Sequence, residues 1–231
     1  MNFSNKQLAR IAGFFYLLVI VCGLFSEVFV RQALRVGDNA LATALNIGDA
    51  EMLFRWGISA DLVNLVFGLP CVLIVYSLFK SVNKLLATLA LLFVVIQTAI
   101  IATNLLNQIS PLLYLSNDSY LNTFSQEQLA ALSLHALDLQ AQGYGIALVF
   151  FGFYCLIIGY LIMVSNLIPR FLGVLYTIAG LCYLINTFTM LLSKGFANPL
   201  FVYLAVPIFI GELGLALWLL IAGVREETTQ T

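Results

Sequence analysis

Six apolar runs, each long enough to cross a bilayer, leave this chain few ways to fold. A hydrocarbon core about 30 Å thick takes about 20 helical residues. Every backbone polar group inside it must be satisfied within the protein. The runs fall at about 11–30, 56–79, 85–109, 146–164, 171–192 and 200–224. They are continuous rather than alternating over ~10 residues, which argues against an outer-membrane barrel. Composition agrees: of 231 residues, 62% are hydrophobic and 9% charged, against about 25% charged in soluble domains. The expected fold is all-α. One transmembrane domain spans residues 1–231, with six spanning helices, polar connections at 31–53 and 110–143, and an amphipathic helix before the fourth span.

Local signals set the expected boundaries. The first run has a basic start but no convincing cleavage site, so it is read as a retained helix. Asp38 and Asp49 are placed to cap the helices that follow them. Pro111 is expected to end the third span. Ser125 with Gln128 reads as a capping box opening the amphipathic helix, and Gly143 and Gly145 as loosening the backbone before the fourth span. Lys194 and Pro199 bracket the last connection, and Pro207 disturbs the sixth span.

The runs are not wholly apolar. Glu212 lies near the middle of the sixth, where a carboxyl group costs at least about 2.5 kcal/mol to place and is by default functional. Glu27 and Arg31 are spaced i,i+4 at the far end of the first run. They read either as an interfacial ion pair with Arg31 snorkelling to water, or as a pair facing a cavity. Asp61 and Asn64 share a face of the second span, as do Gln97, Asn104 and Asn107 on the third; Asn186 lies late in the fifth. Amides of this kind serve either as glue between helices or as a cavity lining.

With six spans, both termini share a side. Lys6, Arg10, Lys80, Lys84, Arg170 and Arg225 fall on that side, and Arg31, Arg35, Arg55 and Lys194 on the other. The bias favours termini in the cytoplasm. Depth gives a second pattern. Glu27, Asp61, Asn64, Asn104, Asn107 and Asn186 all fall in the half of the membrane away from the termini, with Gln97 and Glu212 near its middle. Arg31, Arg55, His135 and Asp138 fall at the distal rim. The expected consequence is a polar cavity opening to the distal face, with Glu212 near its floor. A fainter pattern is an echo at an offset of 160, in which Arg10, Gly13, Tyr16 and Cys22 recur as Arg170, Gly173, Tyr176 and Cys182. Such an echo is what a parallel repeat leaves.

Some chemistries are excluded. With His135 as the sole histidine, no multi-histidine zinc site can form. There is no Gly-x-Ser-x-Gly elbow and no phosphate-binding glycine loop. Cys22, Cys71, Cys155 and Cys182 lie in apolar runs at spacings that suit packing rather than metal. The net charge of −1, with no basic block, gives no nucleic-acid footprint. No metal or cofactor is expected, and the bilayer is the one partner the sequence requires. An all-carboxylate cation site, or acid–base work by Asp61 or Glu212, stays open.

Several segments, in order and spacing, resemble a bacterial integral membrane family known as domain of unknown function 4386. They are Ala9-Arg10-Ile11-Ala12-Gly13, Leu53-Phe54-Arg55-Trp56-Gly57-Ile58-Ser59-Ala60-Asp61, Leu137-Asp138-Leu139, Leu148-Val149-Phe150-Phe151-Gly152, Pro169-Arg170-Phe171-Leu172-Gly173 and Phe209-Ile210-Gly211-Glu212. The resemblance covers about residues 7–225. A histidine often follows the Asp-Leu pair in that family; Gln140 stands there in this chain. The resemblance implies six helices in a bacterial membrane and no particular activity. Three functions fit. The first is binding or transport of a small polar or cationic ligand or a lipid headgroup. The second is an intramembrane enzyme using carboxylate acid–base chemistry on a lipid-like substrate. The third is an accessory structural subunit. Ligand identity and oligomeric state are not encoded in any motif.

Overall fold

The spanning region of the computed structural model is helical, as hydrocarbon demands. It describes residues 3–116, 118–194 and 200–225; Pro199 lies outside them. The chain begins with α1 (Asn5–Leu24), a π turn (Phe25–Arg31) and a short α2 (Gln32–Leu34), which together form the first span. Then come α3 (Ala40–Asp49), α4 (Glu51–Phe79), α5 (Lys84–Tyr114), a 3-10 turn (Ser119–Thr123), α6 (Gln126–Val164), α7 (Arg170–Leu192) and α8 (Phe201–Ile221). Six of these units are long and apolar enough to cross a membrane.

The six form a closed ring. Each packs on the next in sequence, from α1 on α4 through α5, α6 and α7 to α8, and α8 returns to α1. Large apolar side chains such as Leu62, Val66, Leu92, Leu106 and Phe188 are exposed on the outside. An apolar belt of this extent has no place in water. Trp56, Tyr120 and Tyr203 are exposed toward the distal end, where amphipathic rings sit at a membrane interface.

The ring is solid at the terminal end. Ala9, Ala12, Leu78, Phe79, Ala87, Leu161, Ile162, Leu172, Leu219 and Val224 belong to one buried cluster there. Small residues let the backbones approach. A Cβ on Gly13 would stand 2.7 Å from the Leu220 Cα and 2.8 Å from the Leu219 carbonyl carbon. The Arg10 guanidinium donates to the Ile221 carbonyl at 3.1 Å on the same seam. Gly13→Ala is therefore expected to cost about 1–3 kcal/mol of stability through overpacking. Gly48→Ala in α3, where nothing lies within 4 Å, is expected to gain up to about 1 kcal/mol. Thermal unfolding in detergent distinguishes the two.

At the distal end α3 packs against α4, α5 and α6. Ile47 joins Val30, Leu34, Phe54, Ile58 and Leu137 in a second buried cluster.

Several boundaries differ from the sequence reading. The amphipathic segment and the fourth span are one helix of 39 residues, opened by the Ser125–Gln128 capping box. Its glycines mark close approach rather than a loosened backbone. A Cβ on Gly143 would stand 2.7 Å from the Asn104 amide carbon, and one on Gly145 would collide with the Met190 side chain. α5 runs through the buried Pro111 to Tyr114, since a proline near a helix end forfeits a single hydrogen bond. Asn39, not Asp38, caps α3 by accepting from the Ala42 N–H at 3.0 Å. Asp49 is the last residue of α3, and α4 starts without a side-chain cap.

Candidate functional site

The site begins with the π turn. Its hydrogen bonds run i→i+5, so residues five apart stack as residues four apart do in an α-helix. Gln32 N–H bonds to the Glu27 carbonyl in this way. Two side-chain bonds follow the same spacing: Arg31 Nη1 donates to Ser26 Oγ at 2.8 Å, and Gln32 Nε2 to Glu27 Oε1 at 3.0 Å. The turn carries Arg31 inward, not to water. Its side chain is 10% exposed and held between Glu27 Oε2 at 2.8 Å and Asp61 Oδ2 at 2.6 Å. Ser26 donates to the same Asp61 oxygen at 2.6 Å. A guanidinium suits this position because its planar fork serves several acceptors at once.

Below this cluster the ring encloses a cavity of about 930 Å³, to which all six spans contribute. That volume lies in the range of ligand pockets, about 300–1,000 Å³. Its walls are mostly apolar. The polar groups fall in two places: the Glu27–Arg31–Asp61 cluster, with Asn64 and Arg35, and a deeper set around Glu212. Glu212 accepts a 2.6 Å hydrogen bond from the Tyr183 hydroxyl. Among the described residues, no Lys, Arg or His forms an ion pair with it. Tyr144 also lines the cavity wall.

Glu27, Asp61, Asn64, Gln97, Asn186 and Glu212 thus line one cavity, and Arg31 joins them. Asn64 is tied down by a 2.8 Å bond to the Val19 carbonyl.

The remaining expected residues lie elsewhere. Asn104 donates to the Gln140 carbonyl at 2.7 Å, and Asn107 to Asn104 Oδ1 at 2.9 Å. Asn104 belongs to the α5–α6 seam, the glue alternative, and Asn107 is tied to it within α5. Arg55 pairs with Glu51 at 2.7 Å on the exposed surface. His135 is exposed on α6. Asp138 pairs at 2.8 Å with Arg35, which does line the cavity. Counting depth along straight helices cannot tell which way a side chain faces, and these residues face seams or solvent.

Glu212 is on the wall rather than the floor. The cavity continues past it toward the terminal end, to Tyr16, Tyr154, Tyr176, Val75 and Leu219. The Tyr16 and Tyr176 hydroxyls meet at 3.0 Å, and Tyr154 sets its ring edge-on to Tyr176. Tyrosines escape a search for charges, yet two of the residues echoed at an offset of 160 are the pair that meets here. Gln108 was also missed. It is fully buried on α5, and neither end of its amide has a partner among the described residues.

The arrangement offers a carboxylate without a basic partner among the described residues, in an apolar chamber beneath a charge cluster that is internally paired. Among the described residues no three His, Cys, Asp or Glu side chains gather as a metal site requires. No curated protein and no solved structure matches the chain. The family model described as a domain of unknown function matches residues 11–223. Those residues span the whole ring and its cavity, and the chain belongs to the DUF4386 family.

Proposed function

We propose that this protein binds an amphiphile carrying a cationic group, with Glu212 as its counter-ion and the apolar walls around the rest of the molecule. The one observation that carries this reading is the Glu212 carboxylate. It faces a large apolar cavity with Tyr183 as its hydrogen-bond donor and no described basic residue paired to it. An isolated carboxylate in such surroundings is costly, and a ligand cation relieves that cost. Charge balance supports the sign. The cavity lining carries three acids (Glu27, Asp61, Glu212) and two arginines (Arg31, Arg35). Both arginines are already paired. The setting we propose is a bacterial cytoplasmic membrane, as the family resemblance implies, with the termini in the cytoplasm, from the distribution of basic residues.

The reading is tested by thermal unfolding in lipid nanodiscs with dodecyltrimethylammonium and dodecyl sulfate at equal mole fraction. At a hundred times Kd a ligand stabilises by about 2.7 kcal/mol. For a chain of this length that raises Tm by about 5–11 °C. The rise is expected for the cation alone; an equal rise with the sulfate would overturn the reading.

A further inference from the structure

The ring is closed at one end and parted at the other. Where the α1–α8 seam is tight, it is tight near the termini: Gly13 against Leu219 and Leu220, Arg10 on the Ile221 carbonyl, and Lys6 against Gly223. The distal halves behave differently. Every buried residue of α8 (Gly211, Leu215, Ala216 and Leu219) comes from its second half. The π turn packs on α4, α1 and α2. Leu24 and Val28 on one side, and Phe201, Val206, Phe209 and Ile210 on the other, line the cavity and are exposed. On the α7 side the lining residue Asn186 is buried, and Tyr183 and Met190 are half-buried. Among the described residues, these exposed lining side chains of α1 and α8 therefore flank an apolar gap in the half of the span away from the termini.

We propose that this gap is a second subsite, taking the alkyl chain of a membrane-borne cationic amphiphile that reaches the cavity sideways from the surrounding lipid; this rests on the reading of Glu212 above. An aqueous solute has no use for a doorway edged by Leu24, Val28, Val206 and Ile210. A chain already dissolved in lipid crosses it without leaving apolar surroundings, and its headgroup then reaches the one lining carboxylate that lacks a basic partner among the described residues. The Arg31 cluster lies above the gap and is paired, so it offers an anionic headgroup no free guanidinium.

The test uses the full chain in nanodiscs and an alkyltrimethylammonium brominated along its chain, which quenches nearby tryptophan. Trp is placed at Val206 in the gap and, separately, at Leu106 on the lipid face of α5. Both sites are exposed, so the larger ring is accommodated. The expected result is saturable quenching at Val206→Trp, at least about twofold beyond that at Leu106→Trp and lost on adding Glu212→Gln. Equal, non-saturating quenching at both positions overturns the gap. Tetramethylammonium, which has no chain, separates the two readings. If Glu212→Gln abolishes its binding while quenching is equal at both tryptophans, the gap fails and the cation site stands. If its binding survives Glu212→Gln, both fail. A second copy covering α8 would shield Val206→Trp from the quencher and cross-link as a dimer, which also overturns the proposal.

Discussion

Arg31→Met is expected to lower stability by about 3–5 kcal/mol, the cost of leaving a buried charge without its partner. Asp61 is 8% exposed, and its Oδ2 takes hydrogen bonds from both Arg31 and Ser26 at 2.6 Å. Without the guanidinium, Ser26 alone remains to that oxygen. Arg31→Lys restores charge but not the fork that reaches Glu27, Asp61 and Ser26 together, so it recovers part of the loss. Arg31→Met with Asp61→Leu removes both charges and is expected to regain most of it, since an apolar pair of similar volume commonly replaces a buried ion pair without penalty. Urea unfolding in micelles measures all three. A cost below about 1 kcal/mol for Arg31→Met would place the pair in the weak class of exposed surface bridges.

The second large effect is on binding. Glu212→Gln keeps the shape of the wall and removes its charge. Affinity for a cationic amphiphile is expected to fall at least about a hundredfold, near 2.8 kcal/mol at 1.4 kcal/mol per tenfold. Stability moves the other way. A carboxylate near mid-membrane costs at least about 2.5 kcal/mol, so the glutamine variant is expected to unfold no earlier than the parent. Loss of binding without loss of stability separates a binding group from structural glue. Tyr183→Phe keeps the charge and removes the 2.6 Å bond. Its effect on stability is expected at about 1.5–3 kcal/mol, with the preference for cations retained.

What was legible from sequence follows from which forces write themselves into composition. Hydrocarbon requires unbroken apolar runs, so the six spans were plain. An acid inside such a run stands out, so Glu212 and Asp61 were found. Facing was harder. Asn104 and Asp61 lie at comparable depth, yet one closes the α5–α6 seam and the other lines the cavity. That difference is set by packing partners distant in sequence. The π turn was not visible, because a change of one residue in hydrogen-bond register leaves no mark on hydrophobic periodicity. It turns Arg31 from a rim residue into an internal one. The glycines misled for a related reason: Gly143 reads locally as a loosening of the backbone, but serves the approach of Asn104 from a neighbouring helix. The parting of α1 and α8 depends on the ring closing at all, and no segment taken alone encodes it.

The claim that Glu212 is the counter-ion of a bound cation is tested most directly by titrating dodecyltrimethylammonium calorimetrically into the nanodisc-embedded chain and its Glu212→Gln variant. One saturable site per chain in the parent, and none above empty nanodiscs in the variant, is the expected result. Saturable binding of equal affinity in both would contradict it.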